Sequence, residues 1–266
     1  KAVIKNLVNS KGISGNENSV CETALNLLKE YCPDAYIKNG NVIGKFGSFK
    51  ENRPHILLDA HIDQVGMIVT YITDDGFIKV GNVGGLDRRL LPAQQVTIHG
   101  EKDIKGIICS VPPHLTKGKS AVLKIEEVSI DTGYSKEELE KIVTPGDMVT
   151  FDTFYTEFLN DRITASALDD RCGIASVLYA LDQLKDTELE CNVTVLFSAQ
   201  EELGERGAKI ACYEINPDIA LAADVSFGYT CGDTEHECGK LGDGAMIGDQ
   251  RFHTDFEMLK AHFWPL

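Results

Sequence analysis

Three short stretches of the sequence pair residues able to bind a metal ion or accept a proton: His61 with Asp63, Asp169 with Asp170, and Glu201 with Glu202. A further acid, Asp224, follows. His61 and Asp63 are two apart, so both side chains face one way wherever the chain stays extended. In that arrangement the imidazole can ligate a metal while the carboxylate accepts the other ring N–H, fixing the tautomer and raising ligand basicity. Adjacent acids such as Glu201 and Glu202 can divide roles, one ligating a cation and the other remaining free as a base. Each residue alone has an ordinary explanation: a histidine at a loop start, acids near helix N-termini, or an N-cap or turn residue at Asp224. As a set, one histidine and several acids at separate edges form the oxygen-rich, nitrogen-containing shell suited to a hydrolytic zinc or cobalt pair.

These residues need elements to bring them together, and the apolar pattern supplies them. Ile56 to Leu58 runs into Asp59, Ala60, His61, Ile62 and Asp63; Val193 to Phe197 runs into Ser198, Ala199, Gln200, Glu201 and Glu202; Ile219 to Ala223 runs into Asp224. Buried parallel strands read as continuous apolar runs, and ligands bind just beyond their carboxyl ends. The three ends are therefore expected to converge on one edge of a sheet. Ile174, Val177, Leu178, Leu181 and Leu184 keep helical spacing and place Asp169 and Asp170 near a helix start. Val20, Ala24, Leu27 and Leu28 predict another amphipathic helix between Asn16 and Cys32.

The middle of the chain has a different character. Short β-prone runs at Met67 to Ile72, Phe77 to Val80, Gln95 to His99, Ile104 to Ser110, Val122 to Ile130 and Met148 to Phe151 alternate with turn signals. One short helix is expected there, marked by Ser135 and Glu138 as a capping box. An α/β domain split by an inserted β unit follows from this pattern.

At 266 residues and 43% hydrophobic content the chain can bury a full core. A net charge of −15 disfavours nucleic acid and anionic membrane surfaces as partners. No apolar run approaches the roughly 18 residues of a membrane span, and the first 19 residues lack the apolar centre of a secretory signal. The expected location is cytoplasmic. Eight irregularly placed cysteines do not form a disulfide framework. Cys231 and Cys238, with His236 between them, lack the short spacing and second pair of a structural zinc site, so they read as loop residues.

The stretches Ala60 to Gly66, Ser166 to Gly173, Gln200 to Ala208 and Ala223 to Ser226 closely resemble metallopeptidase family forty-two, the glutamyl, deblocking and tetrahedral aminopeptidases, with endoglucanase-M-like members. Gly12 to Glu17, Gly81 to Leu91, Val111 to Leu115 and Ile130 to Tyr134 extend the likeness up to about Gly248. The resemblance implies a zinc-peptidase-like α/β/α sandwich, residues 1–66 with 152–266, and an inserted barrel-like β domain, residues 67–151. It also implies roles. His61, Asp169 and Asp224 would hold one divalent metal, Asp169 would bridge to a second that Glu202 also ligates, Glu201 would be the base, and Asp63 would orient His61. The two ions would be zinc or cobalt. Gln64 stands where many relatives carry Glu, outside this ligand set. The implied reaction is hydrolysis of the first peptide bond of peptides with a free N-terminus, in a homo-oligomer that the family makes dodecameric.

Two other classes compete with that reading. One is a non-catalytic metal-binding homologue acting as an assembly or binding module; the other is a glycosidase using two carboxylates without metal. Beyond Gly248 the likeness fades, and the late histidine that relatives give to the second metal has no counterpart, because the surroundings of His253 and His262 do not match. The C-terminus is thus expected to be incomplete. With only Asp169 and Glu202, the second site is expected to hold zinc more weakly than the first.

Overall fold

The computed structural model describes residues 1–115, 122–152, 154–230, 232, 238–242 and 244–245. The chain divides into two units, Lys1–Asp224 and Val225–Leu266. The first opens with α1 (Ala2–Val8) and α2 (Asn18–Leu28), then β1 (Tyr36–Lys38), β2 (Asn41–Phe46) and β3 (His55–His61). Next come β4 (Gly66–Ile72), β5 (Ile78–Val83), β6 (Gln95–His99), β7 (Asp103–Ile108), β8 (Ile130–Asp131), α3 (Lys136–Leu139) and β9 (Met148–Phe151). After the hairpin of β10 (Thr156–Glu157) and β11 (Ile163–Thr164) follow α4 (Leu168–Leu184), β12 (Asn192–Ser198), α5 (Arg206–Ile215) and β13 (Ile219–Ala222).

Five strands form a mixed sheet in the order β1-β2-β12-β3-β13. Both β12 and β13 run parallel to β3, so the carboxyl ends of all three lie on one edge, as their apolar runs predict. Every residue of β12 is buried, and alternate side chains serve opposite faces. Val193, Val195 and Phe197 pack with Val20, Ala24 and Leu28 of α2 and Ile174, Val177 and Leu181 of α4. On the other face Leu196 joins Ile43, Leu57 and Ala211 of α5. Each fully buried Leu, Ile, Val or Phe contributes about 1.5–3 kcal/mol relative to exposure, which fixes the sandwich more firmly than helix propensity does.

Six antiparallel strands close into a barrel, β4-β5-β8-β7-β6-β9. Met67, Val69, Ile78, Val80, Val96, Ile98, Ile104, Ile108 and Val149 fill it. Closure pairs every strand edge, which a short open meander of this size would leave bare. Helix α3 carries the expected capping box: Ser135 accepts from the Glu138 N–H and Glu138 accepts from the Ser135 N–H.

The structure departs from the sequence pattern in identifiable places. The run Val122 to Ile130 is not a strand; Ile125–Glu127 is a 3-10 turn and only Ile130–Asp131 pairs. Lys124, Glu126 and Glu127 break its apolar alternation, and Glu127 turns back to accept from the Lys124 N–H at 2.7 Å. Strand β3 does not stop at Asp59 but pairs with β12 as far as His61 opposite Ser198. Helix α2 buries Leu25, with Leu27 only packing at its margin. The elements α1, β1, β2 and α5 have no counterpart in the periodicity analysis, because they are short or present small residues to the core.

In the second unit Tyr229 donates to the Gly239 carbonyl at 2.8 Å and Gly239 to the Phe227 carbonyl at 2.9 Å. Cys231, His236, His253 and His262 lie outside the described residues. Among the described residues no helix is long and apolar enough to cross a membrane.

Candidate metal centre

His61 is the last residue of β3 and is 4% exposed. Pairing continues past the strand ends: Ile62 donates to the Ser198 carbonyl and Ala223 to the Asp59 carbonyl, each at 2.8 Å. This carries Asp224 to the edge where His61 sits. A carboxylate oxygen of Asp224, one of Asp170 and a ring nitrogen of His61 lie within 4.8 Å of one another, and so do ligand atoms of His61, Glu201 and Glu202. The imidazole therefore belongs to two groups of acids. Its Nε2 is 2.8 Å from Asp169 Oδ1. On the other side Nδ1 is 3.1 Å from the Asp63 carbonyl and 3.6 Å from Asp63 Oδ1, so the backbone oxygen is the nearer partner.

Glu201 and Glu202 owe their position to a tightly bonded turn. After β12 the chain passes through Gln200 in the left-handed region (φ 56°) into a single 3-10 turn, Glu201–Leu203. Buried Asn41 braces it by accepting from the Ala199 N–H at 2.8 Å and donating to the Gly207 carbonyl at 3.0 Å. The Glu201 N–H donates to Asp63 Oδ1 at 2.9 Å, and the Glu202 N–H to Asp63 Oδ2 at 3.3 Å. A barrel loop closes the other side. Gly84 has φ +76°, and a Cβ there would stand 3.1 Å from that of Glu202.

At the start of α4 the dihedrals of Asp169 and Asp170 are not helical, and regular helix begins beyond them. Asp170 Oδ1 accepts from the Gly173 N–H at 3.0 Å, the bond an N-cap makes. Its Oδ2 is buried and has no hydrogen-bond partner. The helix-cap explanation thus accounts for one oxygen of Asp170, while the same carboxylate also belongs to the group with His61 and Asp224. Neither Asp170 nor Asn41 is among the site residues expected from the sequence. For Asp170 the one signal was the doubled acid; Asn41 carries none, since its role depends on strands 158 positions apart.

Burial disfavours a charged His61, but hydrogen bonds to Asp169 and Asp63 outweigh it and push the ring up to about 11. Burial raises Asp170 to about 8, with the charge of Asp224 adding to it. Burial also raises Glu201 and Glu202; nearby Asp224 and Asp63 add to the first, Asp169 to the second. Protons here neutralise a concentration of buried negative charge. A divalent cation would do the same and would occupy the unpartnered Asp170 oxygen. One imidazole nitrogen and several carboxylates also form a donor set that zinc or cobalt accepts. The residues therefore fit a metal.

A pH dependence follows with a definite sign. For Asp170 the folded value of about 8 lies above 3.8, and for His61 about 11 lies above 6.5. Between those limits the folded chain holds the extra proton. The associated stability is complete below the lower value and is lost as pH rises through the upper one. Thermal melts of chelator-treated protein should show a falling midpoint from pH 3.8 to about 8. Saturating zinc should flatten that fall, since bound metal replaces the protons. A midpoint in the chelator-treated protein that rises over this interval would contradict the assignment.

A family model described as M42 glutamyl aminopeptidase matches residues 40–262. The lysyl aminopeptidase of Pyrococcus furiosus is 30% identical over 253 residues, 92% of this chain and 72% of that protein. The solved structure of an aminopeptidase from the archaeon Desulfurococcus kamchatkensis superposes with a TM-score of 0.85 at 35% identity, covering 91% of this chain and 68% of that one. The TET1 peptidase of Pyrococcus horikoshii, described as able to assemble into a tetrahedron or a large octahedral shell, gives a TM-score of 0.76 at 33% identity over 88% of this chain and 72% of its own.

Proposed function

This chain belongs to the M42 glutamyl aminopeptidase family and is a metallo-aminopeptidase, and on that premise we propose that it removes N-terminal residues from peptides with Glu201 as general base. The observation that supports this reading is the double grouping at His61, once with Asp170 and Asp224 and once with Glu201 and Glu202. In the proposed assignment His61, Asp169 and Asp224 would hold one divalent ion, with Asp170 beside them, and Asp169 and Glu202 would hold a second. When bound, such ions lower the pKa of water toward about 7 and polarise a carbonyl as Lewis acids. Glu201 accepts a proton from the attacking water on its carboxylate and returns it to the leaving nitrogen. Its half-buried position and the neighbouring acids raise its proton affinity above that of an ordinary glutamate, in the direction a base working near neutrality needs. Remaining acidic oxygens would attract the substrate's terminal ammonium and so favour peptides with free N-termini. Asp63 serves by bonding the Glu201 and Glu202 amides as well as by standing beside His61.

The division into residues 1–66 with 152–266 and an insert of residues 67–151 is part of this reading, supported by separate cores in sheet and barrel. A homo-oligomer, dodecameric by likeness to the TET1 peptidase, one of whose structures is a dodecamer, is proposed.

The test is a panel of aminoacyl anilides and peptides assayed with zinc or cobalt, each in free and N-acetylated form. Cleavage confined to free N-termini and abolished by chelator is the expected result. Equal cleavage of acetylated peptides, or turnover that persists after complete metal removal, would overturn the proposal.

A further inference from the structure

The loop between α1 and α2 lies against the metal centre, yet none of its residues has a part in the roles assigned so far. It is held firmly on two sides. Fully buried Arg171 donates through Nη1 to the carbonyls of Leu7 and Ser10 and through Nη2 to that of Gly12 at 3.4 Å. Toward β3, Gln64 donates to the Gly12 carbonyl at 3.1 Å and Ser14 to the Gln64 carbonyl at 3.3 Å. Ser14 is 6% exposed, and its hydroxyl donates to Asp63 Oδ2 at 2.5 Å. Asp63 is fully buried and also accepts the amides of Glu201 and Glu202.

We infer that Ser14 is a positioning residue for the general base: by fixing the rotation of the Asp63 carboxylate it sets the turn that carries Glu201 and Glu202. The inference rests on the assignment of Glu201 as base. Asp63 takes three donors from two separate segments, and Ser14 supplies the one that does not come from the turn itself. The bond to Glu202 is already long at 3.3 Å, so the two amides alone constrain Oδ2 weakly. A bond from a hydroxyl to a buried carboxylate is charge-assisted and among the stronger kinds. Releasing it lets the carboxylate rotate, and the backbone of the turn moves with its anchor. Catalytic geometry does not tolerate this, since misplacement of about 1 Å can cost roughly 10²-fold in rate.

The experiment compares Ser14→Ala, Ser14→Cys and Ser14→Thr in the intact protein. Cysteine keeps a side chain of similar size but is a weak donor, whereas threonine keeps the hydroxyl. Turnover of an aminoacyl anilide by the metal-loaded alanine and cysteine variants should fall about tenfold, with KM within about twofold, and threonine should restore it. In metal-free protein, amide hydrogen exchange at Glu201 and Glu202 should speed up about tenfold in the alanine and cysteine variants and return toward wild type with threonine. Unchanged exchange together with unchanged kcat in the alanine or cysteine variant overturns the inference. If exchange accelerates while Glu201→Gln keeps full turnover, Ser14 positions the turn but the base has been assigned wrongly. The two failures are thus distinguishable.

Discussion

Glu201→Gln is expected to lower kcat by about 10²-fold or more while leaving metal content and melting temperature close to wild type. The amide is nearly isosteric, and the backbone N–H that ties residue 201 to Asp63 is untouched. What disappears is a carboxylate able to take and return a proton. The half-buried side chain belongs to the His61 group through an oxygen that the amide partly replaces, so gross rearrangement is not expected. Turnover and metal content have to be measured on the same preparation, because a drop in both would point to a ligand instead of a base. Near-normal turnover in a fully loaded Glu201→Gln variant would remove the residue from that role.

Asp169→Asn should have the largest effect on metal affinity. Asp169 Oδ1 is 2.8 Å from Nε2 of His61, the residue common to both groups of acids, and its charge raises the proton affinity of Glu202. Substitution removes a negative charge from both proposed sites at once. The loss should exceed the roughly 10–100-fold in affinity that follows removal of an outer-shell partner alone. Asp63→Asn is the useful contrast. Its carboxylate contacts amides and a serine, so that variant should retain metal and lose turnover through displacement of Glu201. Calorimetric titration of zinc into chelator-treated proteins separates the two. Two ions bound by Asp169→Asn with wild-type affinity would show that Asp169 is not a shared ligand.

How much of this was legible beforehand depended on the range of the forces involved. Strands β3, β12 and β13 could be read from their continuous apolar runs and helix α4 from its apolar period, both local signals, although only β12 is buried along its whole length and β13 is largely exposed. The six β-prone runs of the barrel were read on the same ground, with one error where Lys124, Glu126 and Glu127 interrupt the pattern. Placing His61, Asp169, Glu201, Glu202 and Asp224 at strand and helix ends followed directly. The motifs around them pointed to the family, and with it to the inserted β unit.

Other features could not be read because they arise only when distant segments meet. That β12 lies between β2 and β3 is decided by packing, and so is the register placing Ser198 opposite His61. Asp170 is a helix-capping acid in sequence; that its second oxygen is buried and unpartnered is a property of the completed fold. Asp63 was expected to face His61 by strand alternation, but β3 ends at His61, so beyond that point alternation no longer directs the side chain. Its carboxylate was then available to Ser14, 49 positions away, and to the amides of Glu201 and Glu202, 138 and 139 away. Residue types and local period determined by themselves which side chains could bind metal and where elements would present them. Tertiary structure alone decided which oxygen faces which donor, because a buried carboxylate takes its orientation from whatever hydrogen-bond partners the completed fold leaves within reach.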